Sequence, residues 1–250
     1  MNYKQRFSSR VENYMKYRPG YPKEIISILE KEILFDSKKV VADIGSGTGI
    51  SAKLFLENGN SVYGIEPNEP MRKAAEGWLN AFEKFISLHG SAEQTTLQDN
   101  SIDLIVCAQA FHWLDRKKAK SEFKRIAKKD AYLCLIWNDR KKQNAFQQDY
   151  EQLIKQFSID YNEVTHRNIS AEIISDFFAP NKYKKIILNY EQKFDLQGLI
   201  GRIVSSSYMP NEDDKNFPQL RNAIVDLFNA HKQNEIVTFA YDTILYIGKI

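Results

Sequence analysis

The sequence is poor in the residues that mark secreted, metal-bound or membrane-spanning chains. It has two cysteines in 250 residues, Cys107 and Cys134, both inside apolar strand-like runs. That is too few for a disulfide framework or a zinc site, and both read as buried thiols in a reducing compartment. No metal site is expected. No run approaches the roughly 18 apolar residues of a membrane span. Met1 to Arg6 leads into polar sequence without the apolar core of a signal peptide, so none is expected. An excess of one charge is missing too: Lys+Arg 35 against Asp+Glu 32 leaves a net charge of +3. That balance is too small to point to nucleic acid as a partner. The lysines at 117, 118, 120, 128, 129, 182, 184 and 185 read as solvated faces. The expectation is a cytoplasmic protein, monomeric or a weak homodimer, with neither a nucleic-acid nor a membrane partner. Hydrophobic residues at 43% and charged residues at 27% are ordinary for a globular chain long enough to bury a full core.

The stretch that organises the chain runs from Val40 to Gly49. Val40 to Ile44 is short, apolar and β-branched, as a strand covered on both faces should be. Gly45, Gly47 and Gly49 follow at alternate positions, which lets the backbone turn tightly and lets a ligand approach main-chain N–H groups. The dinucleotide fingerprint wants its third glycine three residues after the second, and Ile50 stands there instead. An aspartate at the strand end followed by Gly-x-Gly-x-Gly resembles motif I of the class I S-adenosylmethionine (SAM) methyltransferases.

The rest of the first half alternates strands and helices. A helical pattern begins at Pro22, with Ile25, Ile26, Ile28, Leu29 and Ile33 on one face, and ends before Asp36. Helix character after Gly49 stops at Asn58 and Gly59. Ser61 to Ile65 is a second strand, ended by Glu66 and Pro67. Asn68 is placed as an N-cap with Pro70 in the first turn, opening a helix that reaches Phe82. Phe85 to His89, Asp103 to Ala108 and Ala131 to Trp137 read as further strands, with a basic helix from Asp115 to Lys128 before the last. Such alternation makes βαβ units and a parallel sheet. Beyond Asn138 the pattern changes to helices at 145–157, 196–206 and 220–230, with strands at 183–194 and 235–250. The opening residues, rich in Tyr, Pro and Gly, read as a non-helical arm over the domain. With no repeat and no low-complexity linker, 1–250 is expected to be one domain. It divides into an arm and helix (1–35), a cofactor-binding half (36–138) and a substrate-shaping half (139–250).

Ligands of open α/β sheets lie at the carboxyl ends of strands, near the topological switch point. Four strand ends here carry suitable residues. Asp43, Gly45, Ser46, Gly47 and Gly49 form the first. Glu66, 17 residues beyond Gly49, closes the second strand, where a carboxylate can accept hydrogen bonds from both hydroxyls of a ribose. Pro67 follows it and Met71 packs nearby. Ser91, Ala92 and Glu93 follow the third strand and would bond an adenine edge. Gln109, Ala110, Phe111, His112 and Trp113 follow the fourth, where the reacting end of the cofactor would sit.

Taken in order, Asp43 to Gly49, Gly64 to Pro67, Gly90 to Glu93 and Ala108 to Trp113 resemble the class I SAM methyltransferases. More narrowly they resemble the small-molecule branch that includes trans-aconitate methyltransferase-like proteins. Tyr14 to Pro22 is similar to that branch's N-terminal arm, and Ser205 to Pro210 and Tyr241 to Thr243 to its C-terminal half. The resemblance implies a Rossmann-like, doubly wound α/β fold. Its mainly parallel seven-stranded sheet has a reversed last strand, with an N-terminal arm and a helical C-terminal insertion. It also implies SAM as cofactor, S-adenosyl-L-homocysteine as product, and a small-molecule acceptor with a carboxylate or hydroxyl oxygen. The fourth strand end lacks the Asn/Asp-Pro-Pro-aromatic run of amino-directed enzymes, and no Pro-Cys pair is present to attack a pyrimidine.

His112 is the one histidine beside the expected methyl position, hence the candidate base; packing under the cofactor, or bonding its carboxylate end, is the other reading. Trp113, Tyr14 and Tyr208 are candidates to line the acceptor pocket. Arg18, between Tyr17 and Pro19, is placed to grip a carboxylate of SAM or of the acceptor, and a plain surface arginine is the alternative. The rival functions are an RNA or protein methyltransferase, a SAM-binding protein without turnover, and, last, a nicotinamide dehydrogenase.

Overall fold

β1 (Val40–Ile44) sets the sheet. Val41 packs into one apolar cluster with Leu104, Val106 and Ile136, while Ala42 and Ile44 join Ile105, Cys107 and Leu135 in another. Side chains alternating into two buried layers are what a parallel sheet covered on both faces requires. A computed structural model describes residues 15–159, 169–206 and 208–250. After α1 (Glu24–Ile33) and β1 come α2 (Ile50–Glu57), β2 (Ser61–Ile65), α3 (Glu69–Trp78), β3 (Phe85–Leu88) and β4 (Ile102–Ala108). A 3-10 turn (Phe111–Trp113) leads to α4 (Arg116–Ile126), β5 (Ala127–Arg140), α5 (Ala145–Phe157) and α6 (Ala171–Phe178). The chain closes with β6 (Tyr183–Phe194), α7 (Leu196–Val204), α8 (Phe217–His231) and β7 (Val237–Lys249).

The strand order is β3-β2-β1-β4-β5-β7-β6. β1 pairs in parallel with β2 on one side and β4 on the other, and β2–β3 and β4–β5 are parallel as well. The last strand is antiparallel, completing a Rossmann-like α/β sheet of seven strands. The strand order reverses beside β1, so the switch point lies between the ends of β1 and β4.

The chain forms two units. The core unit holds residues 20–138, 165–188 and 243–250 and contains both apolar layers around the parallel strands. Within it Asn138 ties three stretches together: its amide donates to the Gly20 carbonyl (2.8 Å) and its Oδ1 accepts from the Thr243 hydroxyl (2.6 Å). The insert unit holds the residues up to 19, 139–164 and 189–242, and has its own core of Phe146, Tyr150, Leu199, Ile203, Ile224 and Phe239 among others. There the buried side chain of Gln147 pairs with the backbone of Ala240 in both directions, at 3.0 and 3.2 Å. Gly201 in α7 leaves room for the ring of Tyr17, which a Cβ would meet at 2.1 Å.

Several boundaries differ from the sequence reading. α3 stops at Trp78 rather than Phe82, because Leu79 and Phe82 close a turn in which the Phe82 N–H donates to the Leu79 carbonyl. β5 begins at Ala127, before the expected Ala131. The lysines at its start mask the strand pattern, yet Ala127 pairs with Ile102 and Lys128 bonds Asp103 at 2.7 Å. Residues 15–17 are helical, with Tyr17 packed near Phe194, where a non-helical arm was expected. α6 was not anticipated; Ile174, Phe177 and Phe178 bury its apolar face. No helix among the described residues is long and apolar enough to cross a membrane.

Phe177 joins α6 to the core, its ring 4.8 Å from Phe111 and 6.0 Å from Phe123. Phe177→Ala is expected to cost about 3–5 kcal/mol, read as a lower midpoint in urea denaturation. An unchanged midpoint would mean that α6 does not anchor the sheet.

Candidate functional site

The glycine turn after β1 owes its shape to three left-handed residues, Gly45, Gly47 and Gly49, at φ of 66°, 55° and 82°. Gly45 also has a neighbour that forbids a side chain, since a Cβ there would lie 2.7 Å from the Cβ of Ala110. At Gly49 a Cβ would meet Leu79 at 2.6 Å, so this glycine serves the packing of the chain after α3. Gly47 is different: a Cβ there meets nothing within 4 Å, and the turn is open at that point.

Glu66 at the end of β2 is buried and binds the turn directly. Its Oε2 accepts from the Gly47 N–H (2.9 Å) and its Oε1 from the Asn68 N–H (2.8 Å). Asn68 in turn caps α3, accepting from the Met71 N–H at 3.1 Å. Each Glu66 oxygen thus takes one backbone donor, and the carboxylate sits where the turns after β1 and β2 meet. Pro67 is exposed and Met71 buried beside this carboxylate.

Asp43 is fully buried. Its Oδ2 accepts from the Ser51 hydroxyl at 2.6 Å, at the start of α2, while its Oδ1 has no hydrogen-bond partner. The Thr48 hydroxyl in the same turn is also buried without a partner. Burial is the main reason why the Asp43 carboxyl is pushed up to about 7; the Ser51 hydrogen bond and the Ala52 amide pull the other way, and nearby Glu66 adds to the rise.

At the end of β4, Gln109 takes φ +57°, a left-handed conformation rare without glycine. Two bonds hold it there: its N–H donates to the Ile136 carbonyl (2.9 Å) and its side-chain amide to that of Asn138 (3.2 Å). Ala110 then abuts Gly45, and Phe111 is fully buried against Trp137 and Phe177. The ring of His112 lies 4.7 Å from that of Trp113, which is 52% exposed. After β3, Ala92 is buried in the core, the Ser91 hydroxyl accepts from the Glu93 N–H, and the Glu93 carboxylate accepts from the Asp115 N–H at 2.9 Å. Glu93 therefore also fixes the start of α4.

The core unit thus gathers the residues at 43–49, 66–71 and 109–113 at the ends of β1, β2 and β4, with 91–93 beyond β3. Arg18 and Tyr208 belong to the insert unit, where an Arg18 Nη2 donates to the Ser205 carbonyl at 3.4 Å. Tyr14 lies outside the described residues. Sequence reasoning missed Ser51 and Thr48. Ser51 follows the glycine turn by one helical step, and that position is the signal that could have found it.

A model of the methyltransferase domain matches residues 42–135, the span of this site. An uncharacterized methyltransferase of Mycobacterium tuberculosis (strain H37Rv) is 35% identical over 134 residues, covering 54% of this chain and 52% of that protein. Another, of Geobacillus sp. (strain WCH70), is 31% identical over 154 residues, covering 60% of this chain and 69% of that protein. The chain belongs to the class I SAM-dependent methyltransferases. It matches only about half the length of the first of these curated relatives. Among solved structures, a candidate type II methyltransferase of Anaeromyxobacter dehalogenans shares the fold at TM-score 0.67 and 16% identity, over 93% of this chain and 98% of that one. The YcgJ protein of Bacillus subtilis does so at 0.56 and 21%, over 89% and 96%.

The family implies SAM, and the residues of the core unit suit it. Gly47 leaves space in the turn, the Glu66 carboxylate stands at the end of β2 bonded to that turn, and Asp43 Oδ1 and Thr48 Oγ1 are buried polar atoms without partners.

The raised carboxyl of Asp43 has a stability consequence. Below the ordinary value of 3.8 both folded and unfolded chains hold the proton. Between 3.8 and about 7 only the folded chain holds it, so rising pH costs the fold; above about 7 the penalty is constant. Asp43→Asn keeps an acceptor for Ser51 and removes the charge. Its stability relative to the wild-type chain should therefore rise between about pH 4 and about pH 7 and then level off, as read by denaturant titration. A gap independent of pH would show that Asp43 ionises normally.

Proposed function

We propose that the protein transfers the methyl group of SAM to a small-molecule acceptor, at a carboxylate or hydroxyl oxygen. The observation that carries this reading is the Glu66 carboxylate, held by the Gly47 and Asn68 amides beside the open position at Gly47. A carboxylate at this strand end is the group that would accept hydrogen bonds from a ribose diol. Gly45, Ser46, Gly47 and Gly49 would let the ligand approach the backbone, and Met71, Ser91, Ala92 and Glu93 would border the adenine. Asp43, Gln109 and Ala110 would serve the amino-acid end, and Arg18 of the insert unit is proposed as a partner for a carboxylate of SAM or of the acceptor. When bound, SAM supplies a methyl carbon on a positively charged sulfur.

The chain's own residues have to hold the acceptor about 3–3.5 Å from that carbon and keep water out. An acceptor carboxylate, with a pKa near 4, is ionised already and needs no base. A hydroxyl acceptor needs one, and His112 is the side chain proposed to take its proton. Trp113, Tyr14 and Tyr208 are proposed to line the acceptor. Placement among the trans-aconitate methyltransferase-like proteins rests on the four strand-end motifs together with the runs Tyr14 to Pro22, Ser205 to Pro210 and Tyr241 to Thr243. The absence of an amino-holding motif and the small net charge support a small acceptor in a cytoplasmic protein.

Gly47→Val fills the open position and adds the strain of a left-handed β-branched residue, about 1–2 kcal/mol. The variant should stay folded by circular dichroism and lose SAM binding by calorimetry. Retained binding would misplace the cofactor.

Methyl-labelled SAM, offered to a metabolite extract and separately to RNA and protein fractions, tests the acceptor. Label in the small-molecule fraction that alkali releases as methanol is the result expected for a carboxylate. Alkali-stable label in that fraction favours a hydroxyl and a base role for His112, while label confined to RNA or protein would overturn the small-molecule reading.

A further inference from the structure

The insert unit buries a cation that no carboxylate among the described residues neutralises. Arg202 in α7 is 6% exposed, and among the described residues it is the one positively charged side chain in the buried class. Its Nε and Nη1 have no hydrogen-bond partner, and its partner among the side chains is the Tyr241 hydroxyl. The ring of Phe239 lies 5.9 Å from the guanidinium. Close by, Tyr150 is fully buried and its hydroxyl is also without a partner. Arg140 lies over the Tyr150 ring at 4.5 Å; its Nε is a third donor left over, although its charge is taken by Glu151.

An unpaired buried charge is among the costliest features a fold can carry. The Tyr150 phenol does not offset it, because burial raises it above its ordinary value and keeps the proton on. Among the described residues the cluster is therefore a set of donors with one uncompensated positive charge, walled by aromatic rings. One charge suits a monoanion better than a phosphate dianion, and aromatic walls suit an organic body better than a hydrated inorganic ion. We propose that Arg202 and Tyr150 form a binding site for the carboxylate of a small organic acid. That this acid is the methyl acceptor rests on the function proposed above; the site itself does not.

The test is calorimetric titration of the whole protein with acetate, succinate and phenylacetate. Their uncharged amides, chloride and inorganic phosphate serve as controls, and SAM is titrated in parallel. At least one acid should bind wild-type protein while its amide does not. Tyr150→Phe removes a hydroxyl that has no partner, so its melting temperature should hold while acid affinity falls about tenfold, as for a lost hydrogen bond to a charged group. Arg202→Met should abolish acid binding and raise the melting temperature of the ligand-free protein. SAM affinity should be unchanged in both variants, which separates this site from the cofactor site. Binding of no acid, equal binding of acid and amide or of phosphate, or acid binding that survives Arg202→Met would each overturn the proposal. If the acid binds as expected but accepts no label from SAM, the acceptor reading fails and the carboxylate site stands.

Discussion

The carboxylate of Glu66 is the bond on which the candidate site depends. It ends β2, yet it accepts from the turn after β1 and from the cap residue of α3. Two loops that follow neighbouring parallel strands are thereby set against each other by one ionised group. Hydrogen bonds to a charged acceptor are roughly twice as strong as neutral ones, and here both come from backbone amides of the two loops. The same group that shapes the turn is the one proposed above to meet the ribose.

Around it the site is braced from the sheet. Gly45 and Ala110 touch across the switch point, so the turns after β1 and β4 share one packing contact. Gln109 is held in a strained conformation by the carbonyls of Ile136 and Asn138. Asn138 itself ties Gly20 to Thr243. Strain of this kind persists only where surrounding bonds over-determine it, and it gathers at functional sites. A ligand entering such a frame finds its partners already ordered and has little loop entropy to remove.

Much of this was legible in the sequence wherever the signal is local. Val40 to Ile44 and Ser61 to Ile65 are the strands observed, because a short β-branched run ended by glycine or by Glu-Pro leaves few alternatives. The Asn68 cap, with Pro70 behind it, was legible for the same reason. What escaped depends on partners distant in the chain. The start of β5 reads as solvated lysines until Asp103 is placed beside it. α6 is too short to show a clear period, and its apolar face makes sense only against Phe111 and Phe123. Arg202 reads as one more surface cation, and neither Tyr150 nor Arg140 stands near it in sequence; only the fold reveals the missing counter-charge.

The buried Asp43 makes the glycine turn a proton store. With its carboxyl near 7, the residue exists as a mixture of acid and carboxylate in neutral buffer. A cationic ligand bound beside this carboxyl would favour the carboxylate and drive a proton into solution. Binding is then coupled to the solvent's proton balance: its measured heat includes the ionisation heat of whatever buffer captures that proton. Buffers of different ionisation enthalpy would return different apparent enthalpies for one and the same complex.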